Sequence, residues 1–64
     1  MVYNIYTAKE NNREVIFSLM NTLGFNLSVI YNDGECIKVE VKDESTFAYA
    51  SKNLKEKGLI LNYF

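Results

Sequence analysis

The chain has 64 residues, a net charge of −1 from seven basic and eight acidic side chains, 48% apolar residues and nine aromatics. That is room for one domain at most, residues 1–64, with the composition of a folded chain. The balanced charge argues against a general nucleic-acid surface and against an acidic mimic of DNA.

Other absences narrow the chemistry. With no histidine and one cysteine, Cys36, an internal disulfide is excluded and a zinc site lacks a ligand set. No apolar run approaches the ~20 residues of a membrane span, and the opening MVYNIYTAKENN has neither the basic start nor the apolar core of a signal peptide. A cytoplasmic setting is therefore expected, with no membrane partner and no cofactor. A domain this short is marginal by itself, so regular packing or self-association is expected to support it. The abundance of Asn, Lys, Ile, Tyr and Phe, residues with AT-rich codons, points to a low-GC bacterial or phage genome.

Val2 to Tyr6 reads as a first strand. Val15, Ile16, Leu19, Met20 and Leu23 then share one face at helical spacing. Asn11 with Glu14, or Thr7 with Glu10, resembles a capping box at the start of that helix. Gly24 should end it in the left-handed conformation, with Phe25 folding back onto Met20. Leu27 to Tyr31 and Cys36 to Val41 read as two strands about a turn. A three-residue turn, Asn32-Asp33-Gly34 with a glycine bulge, would set Val29 opposite Ile37 and Leu27 opposite Val39, all apolar and on one side. Asp43 or Ser45 can cap a second helix, whose inner face is Phe47, Ala50, Ser51 and Leu54. Lys52, Lys55 and Lys57 suit the dipole at its end, and Gly58 closes it. Leu59 to Phe64 reads as a last strand, apolar and without a gatekeeper proline or lysine.

The order is β-α-β-β-α-β. A shift of 34 positions lays Gly24 on Gly58, Phe25 on Leu59, Leu27 on Leu61 and Met20 on Leu54, so both halves read strand, helix, Gly, strand. Two β-α-β units with right-handed crossovers interlock into one antiparallel sheet. The whole chain thus resembles the ferredoxin-like fold in topology: α+β, strand order 4-1-3-2, two helices on one face. That fold hosts many functions. Tyr3, Ile5, Leu27, Val29, Ile37, Val39, Val41, Leu59, Leu61 and Tyr63 should point at the helices. The other face should carry an apolar row of Phe64, Val2, Cys36 and Ile30, with Tyr6 and Ile60 in a third row.

The expected site is that uncovered face: Val2, Tyr6, Ile30, Cys36, Ile60 and Phe64, with Phe17 and Tyr49 on the helices as secondary anchors. Catalysis is not expected, because general acid–base work most often uses histidine, and Glu35 beside Cys36 would raise the thiol pKa rather than lower it. Asp33/Glu35 and Asp43/Glu44 are explained by a turn and a helix start. Ferredoxin-like families with known chemistry are matched poorly. The loop after the first strand, TAKENN, lacks the Cys-x-x-Cys of heavy-metal-binding domains and the arginine and glycine of acylphosphatases. Tyr6 lacks the aromatic partner that RNA-recognition domains place on the other central strand, and the first-loop glycine of ACT-type sensors is absent. The expectation is a small non-enzymatic protein-interaction module, homodimeric, of the kind a phage or mobile element uses to inhibit a host protein. The alternatives are an ACT-like small-molecule sensor and a weak binder of single-stranded nucleic acid through Tyr6, Tyr31 and the lysines.

Overall fold

A computed structural model describes residues 1–64 of the chain. The elements are β1 (Val2–Tyr6), a 3₁₀ turn (Lys9–Asn11), α1 (Asn12–Leu23), a second 3₁₀ turn (Gly24–Asn26), β2 (Leu27–Asn32), β3 (Cys36–Val41), α2 (Glu44–Glu56) and β4 (Asn62–Tyr63). The four strands form one antiparallel sheet in the order β2-β3-β1-β4, which is 4-1-3-2 from the other edge. This is the ferredoxin-like topology. No helix is long and apolar enough to cross a membrane.

One layer of apolar side chains joins the sheet to the helices. Ile5, Ile37, Val39 and Val41 meet Val15, Leu19 and Leu23 of α1 and Phe47, Ala50 and Leu54 of α2 in a single buried cluster. Spacing of three and four residues puts each helix's set on one stripe. Phe47 stacks on Tyr3 with ring centroids 4.3 Å apart and meets Tyr63 edge-on at 6.1 Å. The Tyr3 hydroxyl donates to Glu44 at 3.2 Å; loss of solvent, then the charge of Glu44, raises its pKa above the usual tyrosine range.

The helix ends show which local signals were used. Asp43 caps α2, accepting from the Thr46 N–H at 3.1 Å and the Thr46 hydroxyl at 2.7 Å. Neither expected box forms at α1, whose start has no side-chain cap and is led in by the 3₁₀ turn. Phe25 does not fold back onto Met20. Gly24 has φ +55° and ψ −125°, which is not the left-handed helical cap; the chain continues into the second 3₁₀ turn and leaves Phe25 fully exposed.

The hairpin keeps the expected faces by a different register. Leu27 lies opposite Val41 and Val29 opposite Val39, not Ile37. The Asp33 carboxylate accepts from the N–H groups of Glu35 (2.9 Å) and Cys36 (2.8 Å). The Asp33 N–H donates to the Cys36 carbonyl at 3.1 Å. The bend therefore sits at Gly34-Glu35, with Gly34 at φ +99°. The extra residue needed to keep Val29 and Leu27 inward is Ile30, which bulges between Val29 and Tyr31.

The last strand is shorter than expected. The Leu59 N–H is taken by the Leu54 carbonyl at 2.9 Å, and pairing with β1 begins where the Leu61 N–H meets the Tyr6 carbonyl at 2.8 Å. Before that point the chain is not extended, so strand alternation does not apply. Ile60 turns into the core, 2% exposed, and Leu61 turns out, 63% exposed, the reverse of their expected orientations.

Candidate interaction surface

Both helices cover one side of the sheet, so the residues between the buried positions of β1 and β3 form its open side. Because β1 and β3 run antiparallel, Val2 pairs with Glu40, Asn4 with Lys38 and Tyr6 with Cys36. The expected apolar row of Phe64, Val2, Cys36 and Ile30 therefore does not exist; it set Val2 beside the wrong end of β3. Three other rows stand in its place. Asn62, Tyr6 and Cys36 form one. Phe64, Asn4, Lys38 and Tyr31 form the second, where Asn4 and Phe64 exchange two backbone bonds of 2.8 Å. Val2, Glu40 and Ser28 form the third.

Aromatic residues from two strands meet on this surface. Tyr6 and Phe64 sit in adjacent rows with rings edge-on at 5.8 Å, a favoured arrangement for such pairs. They remain 38% and 66% exposed. Cys36 is half-buried beside Tyr6. Across Lys38, the Tyr31 hydroxyl donates to Asp33 at 3.3 Å, and the charge of Asp33 raises the Tyr31 pKa. Asp33 itself lies below the ordinary aspartate value, held there by the N–H groups of Glu35 and Cys36. At the other end the amino terminus lies 3.4 Å from Glu40 and donates to the Val41 carbonyl at 3.0 Å, which secures Val2 at the sheet margin.

Of the residues expected to form the site, Tyr6, Cys36 and Phe64 come together on this side, and Val2 lies on it at the opposite end of β1. Ile60 is removed by its burial. Ile30 is exposed but has no partner in the ladder, and it belongs to the sheet edge. Phe17 and Tyr49 are exposed on the helices, away from the open side. Tyr31 was expected only as a stacking residue for nucleic acid; the bulge at Ile30 brings it into the row of Lys38 and Phe64. A shallow groove between the helices, bordered by Ser18, Asn21, Thr22, Asn53 and Lys57 with Tyr49, Ala50 and Leu54, mixes polar and apolar groups.

The open side supplies apolar and ring contacts around one lysine, a set suited to binding. Comparison of the chain with protein-family models, with curated proteins and with solved structures found no match.

Proposed function

We propose that this protein is a non-enzymatic binding module that docks another protein onto the open side of its sheet, in the cytoplasm. The observation that carries this reading is the Tyr6–Phe64 ring pair, edge-on at 5.8 Å and exposed on the side that the helices leave uncovered. Aromatic side chains are the commonest energetic anchors of protein interfaces. Covering the exposed parts of Tyr6, Phe64 and Val2 removes roughly 300 Å² from water, which at ~25 cal/mol per Å² is several kcal/mol before the cost of association. Asn4, Asn62 and Lys38 lie in the same rows and supply hydrogen bonds that fix orientation. A single lysine with Glu40 two residues along the strand is too little positive charge for a phosphate backbone, so a protein partner is favoured over single-stranded nucleic acid. The small size and AT-rich residue usage suit an inhibitor carried by a phage or mobile element and aimed at a host protein.

The test is affinity capture from a low-GC bacterial extract with the wild-type chain and with the Tyr6→Ser/Phe64→Ser variant, both checked for folding by circular dichroism. The wild type should retain a defined protein that the variant loses. Retention of the same proteins by both would remove the open side as the binding surface.

A further inference from the structure

The sheet edge opposite β4 is a second place where apolar and hydrogen-bonding groups lack partners. β2 ends the sheet there, and five of its six residues are exposed. The Lys42 N–H donates to the Asn26 carbonyl at 2.9 Å. In an antiparallel ladder, alternation then turns the backbone groups of Ser28 toward β3 and those of Leu27 and Val29 outward. Beyond the bulge, the bond from Asp33 to Cys36 turns Tyr31 toward β3 and Asn32 outward by the same rule. Edges are normally shielded by proline, lysine, inward charges, short length or a bulge. The segment LSVIYN has the bulge and no charge or proline. By contrast β4, expected to be the exposed edge, is only two residues long.

The helix above this edge adds an apolar strip. Asn12 and Asn32 exchange two amide hydrogen bonds, 2.9 and 3.1 Å, which seat the first turn of α1 over the far end of β2. The row Asn12, Ile16, Met20 runs from that point along the helix at four-residue spacing. Ser18, Asn21 and Thr22 border the groove toward α2, so this row lies on the opposite flank, above the free edge. Met20 is 52% exposed, Val29 is exposed on the same side of the sheet, and Phe25 stands fully exposed just before β2.

We propose that β2 pairs antiparallel with β2 of a second copy of this chain, making one continuous sheet with the helices of both copies on the same side. Three features select a second copy over another extended segment. Counting Val29 and Ile30 as one rung opposite Val39, β2 has five rungs centred on the bulge. The outward groups of Leu27, Val29 and Asn32 therefore fall symmetrically, and a two-fold axis at Val29 sets Leu27 against Asn32 of the second copy. The charges on the neighbouring strand also do not oppose the pairing, because each shared row ends in unlike rather than like charges. Glu40 lies beside Ser28 and Lys38 beside Tyr31, so the row reads Glu40, Ser28, then Tyr31 and Lys38 of the second copy. Finally, Met20, Phe25, Val29 and Ile30 together expose roughly 500 Å² per copy, more than half of the ~800 Å² per partner of a standard interface. This surface is separate from the open side and does not rest on its reading.

The experiment is sedimentation and light scattering of the full chain over a micromolar concentration range, with amide hydrogen exchange at high and low concentration. Wild type should have the mass of two chains, and the Leu27 and Val29 amides should lose protection on dilution while the Ser28 and Tyr31 amides keep theirs. Val29→Lys and, independently, Met20→Lys should each halve the mass without changing the circular dichroism spectrum. Tyr6→Ser/Phe64→Ser should leave the mass unchanged. A wild-type mass of one chain throughout the range would overturn the proposal. So would a dimer that survives both lysine variants, or one that is lost only with Tyr6 and Phe64.

Discussion

Two hydroxyls in the core have no hydrogen-bond partner: Thr7 Oγ1 and Ser51 Oγ, on residues 2% and 0% exposed. A buried polar atom left unsatisfied destabilises the folded state, whereas an apolar replacement of similar shape removes that penalty. Ser51→Ala and Thr7→Val should each raise unfolding stability by about 1 kcal/mol in urea titrations; a loss of similar size in both would show that the hydroxyls are satisfied in solution. Gly34 tests backbone rather than packing. A Cβ there would meet only Lys9 carbons at 3.7 Å, an ordinary contact, but φ is +99°. Gly34→Ala should therefore cost about 1–2 kcal/mol through strain alone. The inward placement of Ser51 was readable from helical spacing. The lack of a partner was not, because that depends on what the other elements bring to it.

Among the elements, α2 was the most legible, since cap, stripe and closing glycine lie within one segment. Its cap also predicts a response to acid. Asp43 is held below the ordinary aspartate value of 3.8, first by the Thr46 hydroxyl and then by the Thr46 N–H. Asp33 in the hairpin is held down by the N–H groups of Glu35 and Cys36. A carboxylate whose pKa is lower folded than unfolded contributes stability that is present above the unfolded value and is lost as pH falls through the folded one. The thermal midpoint should thus hold as pH falls from neutrality and drop below about pH 4. Asp33→Asn/Asp43→Asn should lower the midpoint at neutral pH and flatten that acid limb; an unchanged acid limb would mean that other carboxylates control it. The first helix and last strand were less legible. A capping-box pattern gives way to a 3₁₀ lead-in, and the expected strand over Leu59–Phe64 pairs only from Leu61 onward, because the turn after Gly58 spends the first residues closing α2.

At the level of the molecule, stability rests on a single apolar layer with Phe47 between Tyr3 and Tyr63. Truncating a buried Phe typically costs 3–5 kcal/mol, while a chain of this length has roughly 3–10 kcal/mol in all. Phe47→Ala should therefore melt far below wild type by circular dichroism, and Phe17→Ala, on an exposed helix position, should melt like wild type. Comparable melts for the two would remove Phe47 from the centre of the core. The same one-sided layer is why the sheet has an open side at all. Tyr6 and Phe64 lie on that open side and not on the β2 edge, so the proposed edge pairing would leave them free.

Periods of two and 3.6 residues encode which way each side chain faces, and they do so locally. That is why the order of elements, the fold and the inward set of Ile5, Ile37, Val39, Val41, Phe47 and Leu54 were all readable from the chain alone. Which residues become neighbours across the sheet is a different kind of information. Val2 meets Glu40 and Phe64 meets Asn4 through pairings far apart in sequence, set by strand direction and by where each connection lets the ladder begin. The rows of the open side and the meeting of Tyr6 with Phe64 follow from those pairings. They arose only when the elements packed, because no local period records how distant strands slide past one another.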